Sequence, residues 1–456
     1  MRKGEKKPVE YKLFYEPFEH QREFHNSTER HVLLVTGFGG GKTLAGCMKA
    51  LKASMLNPNI MCMIVSPSYK MAKNTVIQTL HEICSSFFYP ALPMNSKDGY
   101  SYNKAEMEFR FHLWDGIIKI ASADNPDSLK GPNLAFALLD EPGLMKVEAY
   151  NYMLSRIRHP QAELPQICLT GTPEGINWLS DLWDFAKKAN IDMAEKAMKP
   201  KYKLINAKTS DNKKLDPEFI EALYARYDIN LVKAYINGEF VNMQGMSAYH
   251  CYSKDDSIIK DFEPDPNKPF HLGMDFNFSP MASVLCQEAT VNGSPCVVAF
   301  KEFWYENCDT NFAAERIWTW MTEQFGNSFK LNVYPDPACK NRAAHGAGKT
   351  DLFLLRQIFE HSKVNIWLPK RSPMRKDRLN AVNSMLKNGF GVRRLFFTES
   401  CKHLDNDFTK ATMDEYLNGN FKDKDIGHIS DALGYYIFYN YPLKPRSGLF
   451  SQNKIF

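Results

Sequence analysis

Two groups of residues in this sequence have the types and spacing for phosphate chemistry. The first is built on Gly37-Phe38-Gly39-Gly40-Gly41-Lys42-Thr43. This glycine-rich turn follows the apolar run 32–35 and precedes a helical run over 44–55. Glycines let backbone N–H groups converge on phosphate oxygens at the positive end of the following helix. Lys42 then serves the β- and γ-phosphates and Thr43 serves Mg²⁺. The strict pattern wants glycine at position 36, where this chain has Thr36. Further on, the apolar run 134–139 delivers Asp140 and Glu141. In such a pair Asp140 holds Mg²⁺ through its water shell, and Glu141 orients and polarises the attacking water. The pair favours hydrolysis over transfer to a metabolite. Upstream, Gln21 follows Pro17 and Phe18, and its amide suits an adenine edge. Downstream, the strand-like run 166–169 ends in Thr170-Gly171-Thr172-Pro173, whose hydroxyls can sense a γ-phosphate. Positive charge for that phosphate could come from Lys130, Arg156 or Arg158.

The second group is three separated acids. Asp275 sits inside an apolar strand (270–276), Asp336 ends a later one (331–334), and Asp431 lies in the last helix. A carboxylate inside an apolar strand is costly unless paired or metal-bound. Three that converge can hold two Mg²⁺ or Mn²⁺ ions about 4 Å apart for phosphodiester hydrolysis. Glu302 is a possible fourth ligand, and Asp425 and His428 are possible outer partners or proton carriers.

The elements needed to position these groups differ in order between the halves. The first alternates strands and helices with ligands at strand C-termini, which indicates a parallel α/β sheet. In the second, three consecutive strands (270–276, 283–289 and 296–305) lead into alternation with helices. That is the order of an RNase H-like domain. The expected layout is an ATPase domain over 1–245, with 200–245 a lid or linker part. A linker (246–269), a nuclease domain (270–441) and a flexible basic tail (442–456) follow.

Composition sets the class. The chain has 456 residues, 44% hydrophobic and 24% charged, with a net charge of +5. It reads as globular, and any polyanion site must come from local clusters. Two such clusters stand out. Nine lysines face three acids over 187–214, and residues 370–378 are basic; each reads as a phosphate-gripping surface or a solvated face. The ten cysteines show no C-x-x-C pair and no zinc spacing, so they are expected to be reduced thiols. The charged N-terminus has no apolar signal region, and no apolar run reaches the roughly 18 residues of a membrane span. His345-Gly346-Ala347-Gly348-Lys349-Thr350 imitates a phosphate loop without its strand and is read as a decoy.

With both groups in order, the chain resembles the large subunit of tailed-bacteriophage terminases over about residues 12–441. The resemblance is carried by Gln21, the Gly37–Thr43 loop, Leu138-Leu139-Asp140-Glu141, Thr170-Gly171-Thr172-Pro173, Asp275, Asp336 and Asp431. It implies an ASCE-type P-loop ATPase that drives double-stranded DNA into a procapsid, with Gln21, Gly37, Gly39, Gly40, Gly41, Lys42, Thr43, Asp140 and Thr170 binding ATP and Mg²⁺. It also implies a Mg²⁺- or Mn²⁺-dependent endonuclease for concatemeric DNA. The implied partners are the portal protein, a small terminase subunit and a homo-oligomeric ring, usually of five subunits. Such a protein acts in the host cytoplasm and on the procapsid, is not a virion component, and needs no membrane. Family loops often carry Arg where this chain has Phe38. Lys130 matches the place of an inter-subunit arginine finger, although Lys lacks the planar fork of Arg. Two rivals remain: a helicase or translocase whose second domain only binds DNA, and a non-enzymatic capsid-assembly protein.

Overall fold

The computed structural model describes residues 10–443, apart from 125, 132, 174–176, 242–245, 278, 292, 341–349, 360–363 and 369–371. The decoy's residues 345–349, the two basic residues at 370–371, the extreme N-terminus and nearly all of the tail lie outside them. The chain divides into two compact units. One comprises Met1–Ile220 with Lys233–Asn242, the other Glu221–Val232 with Met243–Phe456. Residues 221–232, placed by the sequence reading at the end of the first domain, therefore group with the second unit. There Asn388 Nδ2 donates to the Ala225 carbonyl at 2.7 Å.

The first unit is organised by one eight-stranded sheet. Its strands are β1 (His31–Thr36), β2 (Met61–Ser66), β3 (Tyr100–Asn103), β4 (Glu108–Phe111), β5 (Gly116–Ser122), β6 (Phe136–Asp140), β7 (Gln166–Gly171) and β8 (Tyr202–Ala207). They lie in the order β8-β1-β7-β6-β2-β5-β4-β3. The six from β8 to β5 are parallel, and the β3–β4 hairpin extends the sheet antiparallel. Both faces of β1 are covered, so it reads as an unbroken apolar run. Val32 and Leu34 join a core containing Ala45, Cys47 and Leu51 from α2 (Lys42–Leu56), which follows α1 (Glu19–Asn26). Leu33 and Val35 join the opposite core with Met153 of α3 (Val147–Arg156) and Trp183 of α4 (Trp178–Glu195). β7 lies between β1 and β6, so Thr170 stands between the glycine loop and the acid pair. This is the ASCE-type P-loop fold. The lysine-rich stretch is a solvated face at its lysines, all exposed apart from half-buried Lys203, and it also contains the end of α4 and the edge strand β8, which pairs residue by residue with β1.

The second unit holds a seven-stranded sheet: β9 (Ile258–Ile259), β10 (Phe270–Asp275), β11 (Met281–Val291), β12 (Ser294–Tyr305), β13 (Leu331–Pro335), β14 (Val364–Ile366) and β15 (Leu395–Thr398). The order is β9-β15-β12-β11-β10-β13-β14. The central β10–β11–β12 meander is antiparallel and the flanking strands pair parallel to it, an RNase H-like fold. Helices α5 (Thr310–Phe325) and α6 (Asp351–Ile358) contribute to one core. Helices α7 (Arg375–Leu386), α8 (Lys402–Lys410) and α9 (His428–Asn440) contribute to the other.

Candidate active sites

In the first unit, the turn from β1 into α2 is shaped by what surrounds it. Thr36 Oγ1 donates to the Gly37 carbonyl at 2.8 Å and lies where a side chain on Gly40 would collide with it. The threonine that breaks the strict motif therefore fills the inside of the loop, and Gly40 leaves it room. Gly41 caps α2 at φ 76°, a left-handed conformation that costs glycine little. Asn212 Nδ2 donates to the Gly39 carbonyl at 2.7 Å. The Gly37 N–H donates to Ala207 at 3.1 Å and the Phe38 N–H to Tyr235 at 2.6 Å, while the Phe38 ring stacks on Tyr235 at 4.5 Å.

Helix α1 grips the loop from below. His20 Nε2 lies 2.8 Å from the Gly40 carbonyl, and Gln21 Nε2 donates to the Gly41 carbonyl at 3.0 Å. The other end of the Gln21 amide accepts from the Phe18 N–H at 2.9 Å and from Tyr15 Oη at 3.2 Å. Both ends of the amide are thus engaged by the protein. Beside it lies a cavity of about 560 Å³ whose lining includes Phe14, Phe18, Leu44, Gly41 and Gln21.

The acids of β6 meet the loop. Thr43 Oγ1 lies 3.4 Å from Asp140 Oδ1, and Thr170 Oγ1 donates to the same oxygen at 2.9 Å. Burial, and after it the neighbouring Glu141, pushes the Asp140 carboxyl up to about 6. Lys42 pairs with Glu141 at 3.0 Å, and Glu141 also accepts from the Thr172 N–H at 3.2 Å. Glu141 itself adopts φ 55°, outside the usual range of a non-glycine residue. The oxygen-only pair Thr43–Asp140 fits Mg²⁺. Lys130 is half-exposed, pairs with Asp127 at 2.6 Å and lies 4.7 Å from the Tyr152 ring centre. Arg158 donates to Asn133 at 2.8 Å. The contacts described for these cations include none to the loop.

In the second unit, β10 and β13 run side by side in parallel, with Met274 opposite Pro335, which sets Asp275 and Asp336 at adjacent strand ends. The Asp336 N–H donates to the Met274 carbonyl at 2.9 Å. Helix α9 crosses β10 so closely that a Cβ on Gly273 would strike the Ala432 carbonyl, and this approach brings in Asp431. Asp275 is 6% exposed. Burial pushes its carboxyl up to about 6, Asp431 and Asp336 add to the rise, and the His428 hydrogen bond opposes it. Asp275 Oδ2 accepts from Asn277 Nδ2 at 2.6 Å and lies 3.1 Å from His428 Nδ1. Burial disfavours the charged His428 ring, but the Asp275 carboxylate outweighs it and raises the pKa.

Asp431 Oδ1 accepts from Tyr416 Oη at 2.6 Å and from Arg378 at 2.8 Å. Arg378, read in the sequence as part of a DNA-gripping or solvated run, is in fact 3% exposed and turned inward. The three carboxylates form an all-oxygen set that suits Mg²⁺ or Mn²⁺. They are not drawn together within 4.8 Å of one another. Glu302, the possible fourth ligand, is committed elsewhere: it accepts from the N–H groups of His403 and Leu404 at 3.0 and 2.7 Å, capping α8. Asp425 is exposed, and its charge bears on His403.

A family model described as "Terminase large subunit, T4likevirus-type, N-terminal" matches residues 33–263, half of the chain. The chain belongs to the large-terminase family. Among large terminases, that of Thermus virus P23-45 is 23% identical over 190 residues, 38% of this chain and 36% of that relative. The match thus spans little more than a third of that relative's length. The PBSX phage terminase large subunit of Bacillus subtilis (strain 168) is 19% identical over 305 residues, 64% of this chain and 68% of the relative. The solved large terminase of a thermophilic bacteriophage superposes with a TM-score of 0.58 at 16% identity, covering 93% of this chain and 99% of that one. The complex of that same terminase with ADP gives 0.58 at 17% identity, covering 92% and 99%. At these identities the likeness is one of fold. No helix among the described residues of this large terminase is long and apolar enough to cross a membrane.

Several residues at the sites carry no motif. His20, Arg378, Tyr416 and Asn277 act through contacts between distant segments, and only Asn277, two positions after Asp275, has a local signal.

One further acid shapes the position of α9. Asp407 Oδ2 accepts from the N–H groups of Gly427 and Ser430 at 3.0 and 3.1 Å, at the start of the helix that carries His428 and Asp431. Burial pushes its carboxyl up to about 7. The native state therefore binds the proton more tightly than the unfolded chain, whose Asp titrates near 3.9. The contribution of Asp407 to stability is fully present below about pH 4 and is lost as pH rises through about 7. Asp407→Asn should flatten the fall in thermal midpoint across that window. Parallel profiles for the two proteins would refute the assignment.

Proposed function

We propose that this chain is a viral DNA-packaging motor and nuclease. ATP hydrolysis in the first unit drives double-stranded DNA into a procapsid, and a two-metal endonuclease in the second cuts concatemeric DNA. One observation carries the reading. A single chain holds both the Lys42–Glu141 pair beside Thr43–Asp140 and a buried Asp275 flanked by Asp336 and Asp431.

In this reading the cavity beside Gly41 takes the base against Phe14, Phe18 and Leu44, while Gln21 braces the wall. Gly39 and Gly41 present backbone N–H groups to the phosphates, while Gly37 and Gly40, whose N–H groups donate to the Ala207 and Gly37 carbonyls, give the turn its shape and leave the phosphates room. The phosphates compete for Lys42, and Glu141, released from it, orients the attacking water and takes its proton. Thr170 ties the end of β7 to Asp140, so a change at the γ-phosphate reaches the neighbouring strand. Thr43 and Asp140 would hold Mg²⁺, and Asp275, Asp336 and Asp431 would hold Mg²⁺ or Mn²⁺. These ions would supply charge neutralisation at the phosphates and, at the nuclease site, an activated water. His428 holds Asp275 in place, and Arg378 and Tyr416 do the same for Asp431. The partners follow the family: portal, small terminase subunit and a ring, usually of five subunits, on the procapsid in the host cytoplasm.

The test is a coupled assay of ATP-dependent DNA packaging and metal-dependent nicking on the full chain. A protein that translocates DNA and never cuts it would favour the translocase reading. Lys130 is the proposed cation supplied across the ring. Lys130→Ala should lower ATP turnover of the procapsid-bound ring about tenfold or more, with nucleotide affinity kept within about twofold. Equal losses of turnover and binding would count against that role.

A further inference from the structure

Away from both sites lies a second group of metal-binding side chains. One ligand atom each from Asp228, His250 and Cys251 lies within 4.8 Å of the other two, and no other three His, Cys, Asp or Glu among the described residues are so gathered. Asp228 is 1% exposed, Cys251 5%, and the His250 side chain 8%. All three belong to the second unit.

The group is not satisfied by the protein alone. Asp228 Oδ1 accepts from the N–H groups of Asn230 and Leu231 at 2.8 and 3.1 Å and faces His250 Nε2 at 3.2 Å. Asp228 Oδ2 and His250 Nδ1 are buried without a hydrogen-bond partner. No protonation state of the imidazole repairs this. A proton on Nε2 serves Oδ1 and strands a lone pair on Nδ1. A proton on Nδ1 is itself stranded, and it sets the Nε2 lone pair against a carboxylate oxygen. The imidazolium strands the Nδ1 proton. A cation gives the unused lone pairs a partner.

We propose that Asp228, His250 and Cys251 bind one zinc-class divalent ion. Sulfur, imidazole nitrogen and one carboxylate select zinc over the hard ions suited to Asp275 or Asp140. Three protein ligands leave a fourth position for water. Carboxylate and thiolate together cancel the charge of the dication. The ion joins two stretches of the second unit that are distant in sequence, the 221–232 segment and the turn at 249–252. Its role is therefore to fasten that segment, and it does not depend on the proposed activities.

The test uses the untagged full chain, stripped of metal and reloaded with Zn²⁺ or Co²⁺. We expect about one tightly held Zn²⁺ per chain and, with Co²⁺, a near-ultraviolet thiolate-to-metal charge-transfer band. Cys251→Ser should lose the band. His250→Gln should lose most of the zinc. Asp336→Asn, which alters only the oxygen site, should keep both. Zn²⁺ should raise the thermal midpoint of the wild type and leave Cys251→Ser unchanged. The wild-type cobalt spectrum tests the proposal even if a variant fails to fold. Cobalt bound without a thiolate band, no tightly bound metal at all, or zinc content unchanged in both ligand variants would overturn it.

Discussion

Asp275→Asn should reduce Mn²⁺-dependent nicking of supercoiled DNA by about 10³-fold while leaving ATP turnover intact. The size follows from the several kcal/mol that metal ions contribute to the charge of such a transition state, at roughly 1.4 kcal/mol per tenfold in rate. Asparagine keeps the shape and removes the charge. It removes it from the acid that Asp336 and Asp431 both press upon. The fold should not suffer, because a buried carboxylate beside two others is a strain the amide relieves. The thermal midpoint should therefore hold or rise, which separates loss of the site from loss of structure. If the variant still cuts DNA, the nuclease assignment fails.

Glu141→Gln should lower ATP turnover by about 10²- to 10⁴-fold, the range of a positioned general base. Nucleotide binding should survive and tighten. Glu141 holds Lys42 at 3.0 Å, so phosphates must compete with it. Glutamine removes the competing charge and leaves Lys42 to the ligand. Turnover and equilibrium binding of a fluorescent ATP analogue, measured on one preparation, check both halves. Unchanged turnover would remove Glu141 as the base and revive the reading of a non-enzymatic assembly protein. Weakened binding would show that the Lys42–Glu141 pair organises the loop and does not compete with phosphate.

These sites were legible where chemistry sits at the end of an apolar run. Val32–Val35 leading to Gly37, Leu138-Leu139 leading to Asp140, and the strand ending in Asp275 each show a buried element stopping at a polar group. The meander of the second unit was legible for the same reason. What the sequence hid depends on pairing at a distance. The strand Tyr202–Ala207 is embedded in a lysine-rich run, and only its pairing with β1 reveals it. The hairpin from Tyr100 to Phe111 carries no signal apart from its partners. Glu302 sits in an apolar strand as Asp275 does, and only the arrival of α8 shows that it caps a helix. Arg378 belongs by composition to a basic surface and by contact to Asp431. The proposed zinc ligands combine an adjacent His-Cys pair with a distant Asp, a spacing that matches no familiar motif.

Phe38 brings no charge to the loop, and its stacking on Tyr235 commits it to packing. Cationic help at the γ-phosphate must then come from another residue, for which Lys130 is the proposed source.

The grip of α1 on the loop has a further consequence, in the orientation of peptide planes. In a trans peptide the carbonyl and the following N–H point in opposite directions. His20 fixes the Gly40 carbonyl, which aims the Gly41 N–H away from α1; Gln21 fixes the Gly41 carbonyl, which aims the Lys42 N–H the same way. Neither plane can flip without breaking a side-chain contact. Two donors of the anion-binding turn are thereby set before any anion arrives, and the cost of orienting them falls on folding instead of on binding.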